Sequence, residues 1–189
     1  MPDISNEATP VNLDGISKQE PEVSSEDAQS YENAALIGGE KLRATGYFVN
    51  VVKRGAISVE EGTTPRILIV EDDPGTSAVI DAILKKQGFS TRVAANLQEI
   101  KRALSVTPAP HLILLDIMLP DANGFAVLER LRRHPDLALT PVVMLTSLSE
   151  PADVAKGLAL GATGYMSKPA KPQSLLAAIR NVLGIEVVT

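Results

Sequence analysis

The sequence predicts an α/β fold with a five-stranded parallel sheet over residues 66–189, on two observations. Five short strand candidates recur along this stretch, the first a continuous apolar run with a β-branched bias, and a helical pattern bounded by Gly, Pro or polar clusters follows each of them. Strands separated by helices line up in parallel through right-handed crossovers.

The first run, 67–70, is apolar at every position, as a strand buried on both faces requires. Glu71, Asp72 and Asp73 follow it, then Pro74 and a helix over 75–87 with Val79, Ile80, Ile83 and Leu84 on its apolar face. A strand at 91–94 leads to a helix at 97–105, and SVTPAP then has loop chemistry. The third strand, 112–115, ends in Asp116, and a helix over 123–134 follows the turn. The fourth, 142–145, ends in Thr146 and Ser147 before a helix at 150–160. The fifth, 164–166, ends in Lys168-Pro169 before a last helix at 171–183.

Residues 1–65 differ in composition and are expected to form an acidic extension and linker. They carry 11 acids against 5 bases, whereas residues 66–189 carry 12 against 13. Residues 1–30 are rich in Glu, Ser, Asp and Pro with scattered single apolar residues, too few to offset their ordering entropy, so disorder is expected there. A short helix at 31–44 would be interrupted by Gly38 and Gly39; residues 47–52 read as an extended segment and EEGTTP as a linker. Tyr31, Tyr47 and Phe48 are three of the chain's six Tyr and Phe residues, which suits an interaction or self-docking role for 31–52.

The 189 residues hold no cysteine, so thiolate metal sites and disulfides are excluded. No secretory leader and no apolar run of membrane-spanning length is visible, so a cytoplasmic protein without membrane association is expected. A net charge of −5 argues against non-specific nucleic-acid binding.

The chemistry converges on one sheet edge. In a parallel sheet the carboxyl ends of all strands lie together, and ligands bind in the crevice beyond them. Here that edge receives Glu71 and Asp72 from strand one, Asp116 from strand three, Thr146 from strand four and Lys168 from strand five. Carboxylates about 4 Å apart at an effective dielectric near 20 repel by roughly 4 kcal/mol, and a divalent cation turns that repulsion into attraction. Oxygen donors suit Mg²⁺; His111 and His134, before a strand and at a helix end, read as surface or capping residues. A hydroxyl and an ammonium beside the acids could bind the equatorial oxygens of a phosphoryl group held against Asp116.

The stretches ILIVEDDP, LLDIMLPDANG, VVMLTS and KGLALGATGYMSKP resemble the receiver domain of bacterial two-component response regulators, over residues 66 to about 185. The resemblance implies a flavodoxin-like, doubly wound sheet of order 2-1-3-4-5. It implies Asp116 as phosphoacceptor, Glu71, Asp72, Asp116 and the Met118 backbone carbonyl as Mg²⁺ ligands, and Lys168 and Thr146 as phosphoryl-binding groups. Thr146 and Tyr165 would form the conformational switch, Asp73 would cap a helix, and Lys168-Pro169 would be a cis peptide. Met118 and Leu148 would occupy the variable positions that tune the lifetime of the phosphorylated state.

The implied function is acceptance of a phosphoryl group from the phosphohistidine of a sensor kinase or phosphotransfer protein, without enzymatic turnover. The signal would pass by phosphorelay or by protein contact through the fourth helix, fifth strand and fifth helix of the receiver, possible homodimerisation included. Because the sequence stops soon after the last helix, a stand-alone receiver without direct DNA binding is expected. Gly164 and Ala170, where an acid and a Phe are frequent in the family, weaken the case for a charge-paired dimer. The alternative is a phosphorylation-independent adaptor acting through the extension. A haloacid-dehalogenase-like phosphatase would need a second Asp where Met118 stands, and a flavin carrier would need a phosphate loop.

Overall fold

The structure, a computed structural model, describes residues 10–50, 59, 62–147 and 151–185. Helices α1 (Ser25–Ser30) and α2 (Glu32–Thr45) lead to strand β1 (Tyr47–Val49). The alternating region follows as β2 (Arg66–Val70), α3 (Pro74–Lys86), β3 (Ser90–Ala94), α4 (Leu97–Leu104), β4 (Leu112–Asp116) and α5 (Gly124–Arg132). It closes with β5 (Val142–Thr146), α6 (Pro151–Ala159), β6 (Gly164–Ser167) and α7 (Pro172–Leu183). Each expected strand and helix of this region is present within two residues at either end.

The sheet runs β1-β6-β5-β4-β2-β3. Its last five strands are parallel and reproduce the doubly wound order. Alternate residues of the central strands feed two cores. Leu68, Val70, Ile113, Leu115 and Met144 pack with α5 and α6 on one face. Ile67, Ile69, Leu112, Leu114, Val143 and Leu145 pack with α3 and α7 on the other. Burial on both faces is why these runs are continuously apolar rather than alternating.

Two departures from the sequence reading lie in the extension. The sheet has six strands, because β1 pairs antiparallel with β6, Phe48 opposite Tyr165. Within residues 10–30, where disorder was expected, Val11 and Leu13 are buried in the same core as Phe125 and Leu128, while most of the other residues are exposed. An average over thirty residues conceals such a pair: two apolar side chains two residues apart lie on one side of an extended segment and bury together. Residues 1–9, 51–58 and 60–61, including part of the expected 47–52 segment and of the linker, lie outside the described residues.

Helix α2 also continues through Gly38 and Gly39, both buried. A Cβ on Gly38 would stand 2.7 Å from the Phe48 ring, so glycine here allows the helix to lie against β1. The helix stops at Gly46, whose φ of 82° is left-handed and whose N–H donates to the Leu42 carbonyl.

Candidate functional site

Strands β2 and β4 are neighbours with Val70 opposite Leu115, so the residues that follow, Glu71 and Asp116, emerge side by side. Carboxylate oxygens of Glu71, Asp72 and Asp116 all lie within 4.8 Å of one another. Glu71 and Asp116 are buried and Asp72 is exposed, so the cluster has one side open to water. Asp73 is set apart: its carboxylate accepts from the Thr76 N–H at 2.6 Å and caps α3.

Lys168 arrives from the end of β6. Its Nζ donates to Asp116 Oδ2 at 2.7 Å and to both Glu71 oxygens, at 3.0 and 2.9 Å. Its backbone N–H donates to the Thr146 carbonyl at 2.8 Å, and the following bond to Pro169 is cis. Burial by itself would lower the Lys168 ammonium, but hydrogen bonds to Asp116 and Glu71 outweigh it and hold Lys168 above the ordinary lysine range. Burial dominates at Glu71 and raises its carboxyl, with the nearby Asp116 charge adding to the rise and Lys168 opposing it. The site therefore holds concentrated negative charge that one ammonium offsets only in part.

Thr146 is buried at the end of β5, one residue beyond the register partner of Asp116. The Met118 N–H donates to Asp116 Oδ1 at 3.1 Å, while its side chain is 67% exposed. The loop beyond is a tight hairpin in which Met118 bridges Asn123 and Gly124 N–H donates to the Ile117 carbonyl at 2.7 Å. Leu148 lies outside the described residues. Tyr165 is buried and points under α6, its hydroxyl donating to the Asp153 carbonyl at 2.9 Å, and burial raises its phenol.

The histidines are elsewhere: His111 is bonded to Arg66, and His134 Nδ1 accepts from the Asp136 N–H at 3.2 Å in the turn after α5. Sequence reasoning overlooked Gly157. A Cβ there would stand 1.6 Å from the Tyr165 hydroxyl, so this glycine leaves the slot that the phenol fills. In KGLALGATGY the glycine lies eight residues before Tyr165, and nothing beside it in the sequence marks the pair. Also overlooked was Asn123, which caps α5 by accepting from the Phe125 N–H at 2.9 Å.

The donor set fits a hard divalent cation: three carboxylates around a partly open point, joined by no histidine or cysteine among the described residues.

Comparison with known proteins agrees with this geometry. The response regulator receiver domain model matches residues 67–180. RpaA of Synechocystis, a DNA-binding dual master transcriptional regulator, is 42% identical over 120 residues, covering 63% of this chain and 49% of that protein. The transcriptional regulatory protein GltR of Pseudomonas aeruginosa is 39% identical over 117 residues, covering 62% of this chain and 48% of that protein. The chain thus spans about half the length of these curated relatives. Among solved structures, the chemotaxis protein CheY4 of Vibrio cholerae has a TM-score of 0.60 at 27% identity, covering 64% of this chain and all of that one. The receiver domain of the sensor histidine kinase PA1611 of Pseudomonas aeruginosa, solved with magnesium in its active-site cleft, has a TM-score of 0.58 at 27% identity, covering 65% and 99%.

These relatives overturn the expectation of a partner set without DNA. That exclusion rested on net charge and on where the sequence stops, and RpaA is itself described as DNA-binding. The charge of a receiver carries no information about what the other half of such a regulator contacts. Among the described residues no helix is long and apolar enough to cross a membrane. A match over residues 67–180, more than half of the chain, makes it a member of the response regulator receiver domain family.

Proposed function

We propose that the chain is a phosphorylatable switch in which Asp116 takes a phosphoryl group from the phosphohistidine of a sensor kinase or phosphotransfer protein. The observation that carries this reading is that Lys168 reaches both Asp116 and Glu71 while three carboxylate oxygens gather within 4.8 Å. An Asp116 carboxylate oxygen attacks phosphorus in line; the P–N bond breaks, its electron pair returns to the imidazole, and an aspartyl phosphate forms. Lys168 offsets charge on the phosphoryl oxygens, and Thr146 offers its hydroxyl to one of them. Glu71, Asp72, Asp116 and the Met118 carbonyl would hold Mg²⁺, which supplies charge neutralisation during the transfer. Tyr165 would follow the movement of Thr146. Because Asp116 is itself modified, the chain is a reactant rather than a turnover enzyme. Its likeness to transcriptional regulators, RpaA among them DNA-binding, supports a transcriptional destination for the signal.

The test is incubation with acetyl phosphate or phosphoramidate and Mg²⁺, read as the gain of one phosphoryl group in intact mass. Labelling that requires Mg²⁺ and Asp116 is expected. Equal labelling of Asp116→Asn would overturn the assignment.

A further inference from the structure

The amino-terminal segment is tied to the phosphoacceptor site by a short series of contacts. The Asn123 N–H, at the N-cap of α5 where a helix leaves donors unsatisfied, donates to the Ser17 carbonyl at 3.0 Å. Asn123 bridges Met118, and the Met118 N–H donates to Asp116 Oδ1. Two hydrogen bonds and one bridge thus separate the extension from the reacting carboxylate. Glu20 adds a second tie, its carboxylate 2.5 Å from Lys156 Nζ on α6 and 3.5 Å from Asn123 Nδ2. Asp14 pairs with Lys101 on α4, and the Asp14 carbonyl accepts from Arg130 on α5. A further tie is β1, which holds Phe48 opposite Tyr165 at the edge of the sheet.

We propose that residues 10–50 are a positioning element of the phosphoacceptor site, holding the loop 117–123 and α6 in the geometry that accepts the cation and the phosphoryl group. The proposal rests on the phosphoacceptor reading above and adds a direction to it. With the segment docked, the three carboxylates are already gathered and Tyr165 already lies under α6. The docked form is therefore the binding-competent one. Undocking removes the Ser17 rung, frees the loop to sample other geometries, and lowers apparent affinity by the fraction of molecules that remain competent. Linkage makes the effect reciprocal, so loading the site tightens the hold on the segment.

The test uses the full chain, with Mn²⁺ as the probe metal read by electron paramagnetic resonance and Mg²⁺ with beryllofluoride as the phosphoryl mimic. Phe48→Ala removes the buried ring of β1. Gly164→Val acts from the receiver side, since a Cβ there would stand 2.5 Å from the Phe48 carbonyl oxygen. Glu20→Gln removes only the ion pair with Lys156 and serves if the other two variants do not fold. Hydrogen exchange at the amides of Phe48 and Asn50, the residues of this segment whose N–H groups face β6, reports docking of β1. Coupling between sites is typically about fivefold to 150-fold, so Mn²⁺ affinity is expected to fall at least about fivefold in variants whose Phe48 and Asn50 amides exchange rapidly. In the wild type, Mg²⁺ with beryllofluoride is expected to slow that exchange. Unchanged Mn²⁺ affinity in an undocked variant, or loading that leaves exchange unchanged or faster, would overturn the positioning role alone. A wild-type chain that takes up neither Mn²⁺ nor beryllofluoride would overturn the phosphoacceptor reading with it.

Discussion

Replacing Gly157 by Ala tests how the buried tyrosine is accommodated. The new Cβ would stand 1.6 Å from the Tyr165 hydroxyl and 2.8 Å from Cζ, so the phenol must leave its slot. Overpacking of this kind costs about 1–3 kcal/mol. Separating the hydroxyl from the Asp153 carbonyl costs about 1–3 kcal/mol more if it stays buried. Alanine in place of glycine inside a helix returns about 1 kcal/mol. The net is a loss of about 3 kcal/mol, which in a chain of this size lowers Tm by roughly 6–12 °C, at about 2–4 °C per kcal/mol. Differential scanning calorimetry of Gly157→Ala, Tyr165→Leu and the double variant separates this steric account from a general helix effect. In the double variant the methyl enters space that the shorter leucine leaves, so the two losses should sum to at least about 1 kcal/mol more than the double variant loses. Additivity within about 0.5 kcal/mol, as for independent sites, or an unchanged Tm in Gly157→Ala, would refute the reasoning.

Asp116→Asn should retain fold and Tm, because the amide oxygen still accepts from Lys168 while repulsion with Glu71 is removed, yet it should take no label from acetyl phosphate. Asp72→Ala should lose Mg²⁺-dependent labelling without loss of stability, whereas Asp73→Ala should keep labelling and lose about 1 kcal/mol in urea denaturation as the α3 cap goes; equal damage to labelling would mean the acids have been assigned wrongly. The phosphorylated state should decay slowly, since neither Met118 nor Leu148 can orient a water by hydrogen bonding. Met118→Asn with Leu148→Glu should hasten loss of label, and wild-type decay as fast as the double variant's would contradict the obstruction argument.

Which features the sequence revealed follows from how local their causes are. The strand ends were readable because Glu71, Asp116, Thr146 and Lys168 each sit directly after an apolar run, and parallel pairing brings run ends together whatever the details of packing. The division of EDD into two clustered acids and one cap was readable because the cap sits just before Pro74, where the first helical turn needs an acceptor. Gly157 was not readable from its own surroundings. Its role depends on a tyrosine in the next strand, and a single glycine inside a helical pattern looks like a weak helix former. The packing of Val11 and Leu13 was hidden for a related reason: each stands alone among polar residues, and they become part of a core only once a receiver surface is present to receive them.

That surface also explains why the extension belongs to the fold. Without β1, strand β6 would be an edge strand whose Gly164 offers no side chain to deter another chain, and exposed edges invite pairing between molecules. A Cβ at Gly164 would meet the Phe48 carbonyl oxygen and the Val49 Cα, so the absence of a side chain there permits β1 to approach closely. The edge is thereby moved to a strand of three residues, with α2 and α7 packed beside it. Protection of the edge requires only that β1 be docked, and is the same whether or not Asp116 is loaded. Positioning of the site requires that docking and loading share free energy. A variant that unseats β1 should therefore increase self-association in proportion to its undocked fraction, irrespective of Mg²⁺. Metal affinity should follow the same fraction only if the contacts of the segment with the loop 117–123 and α6 are coupled to loading, so the two consequences of one packing arrangement can be measured separately in one set of molecules.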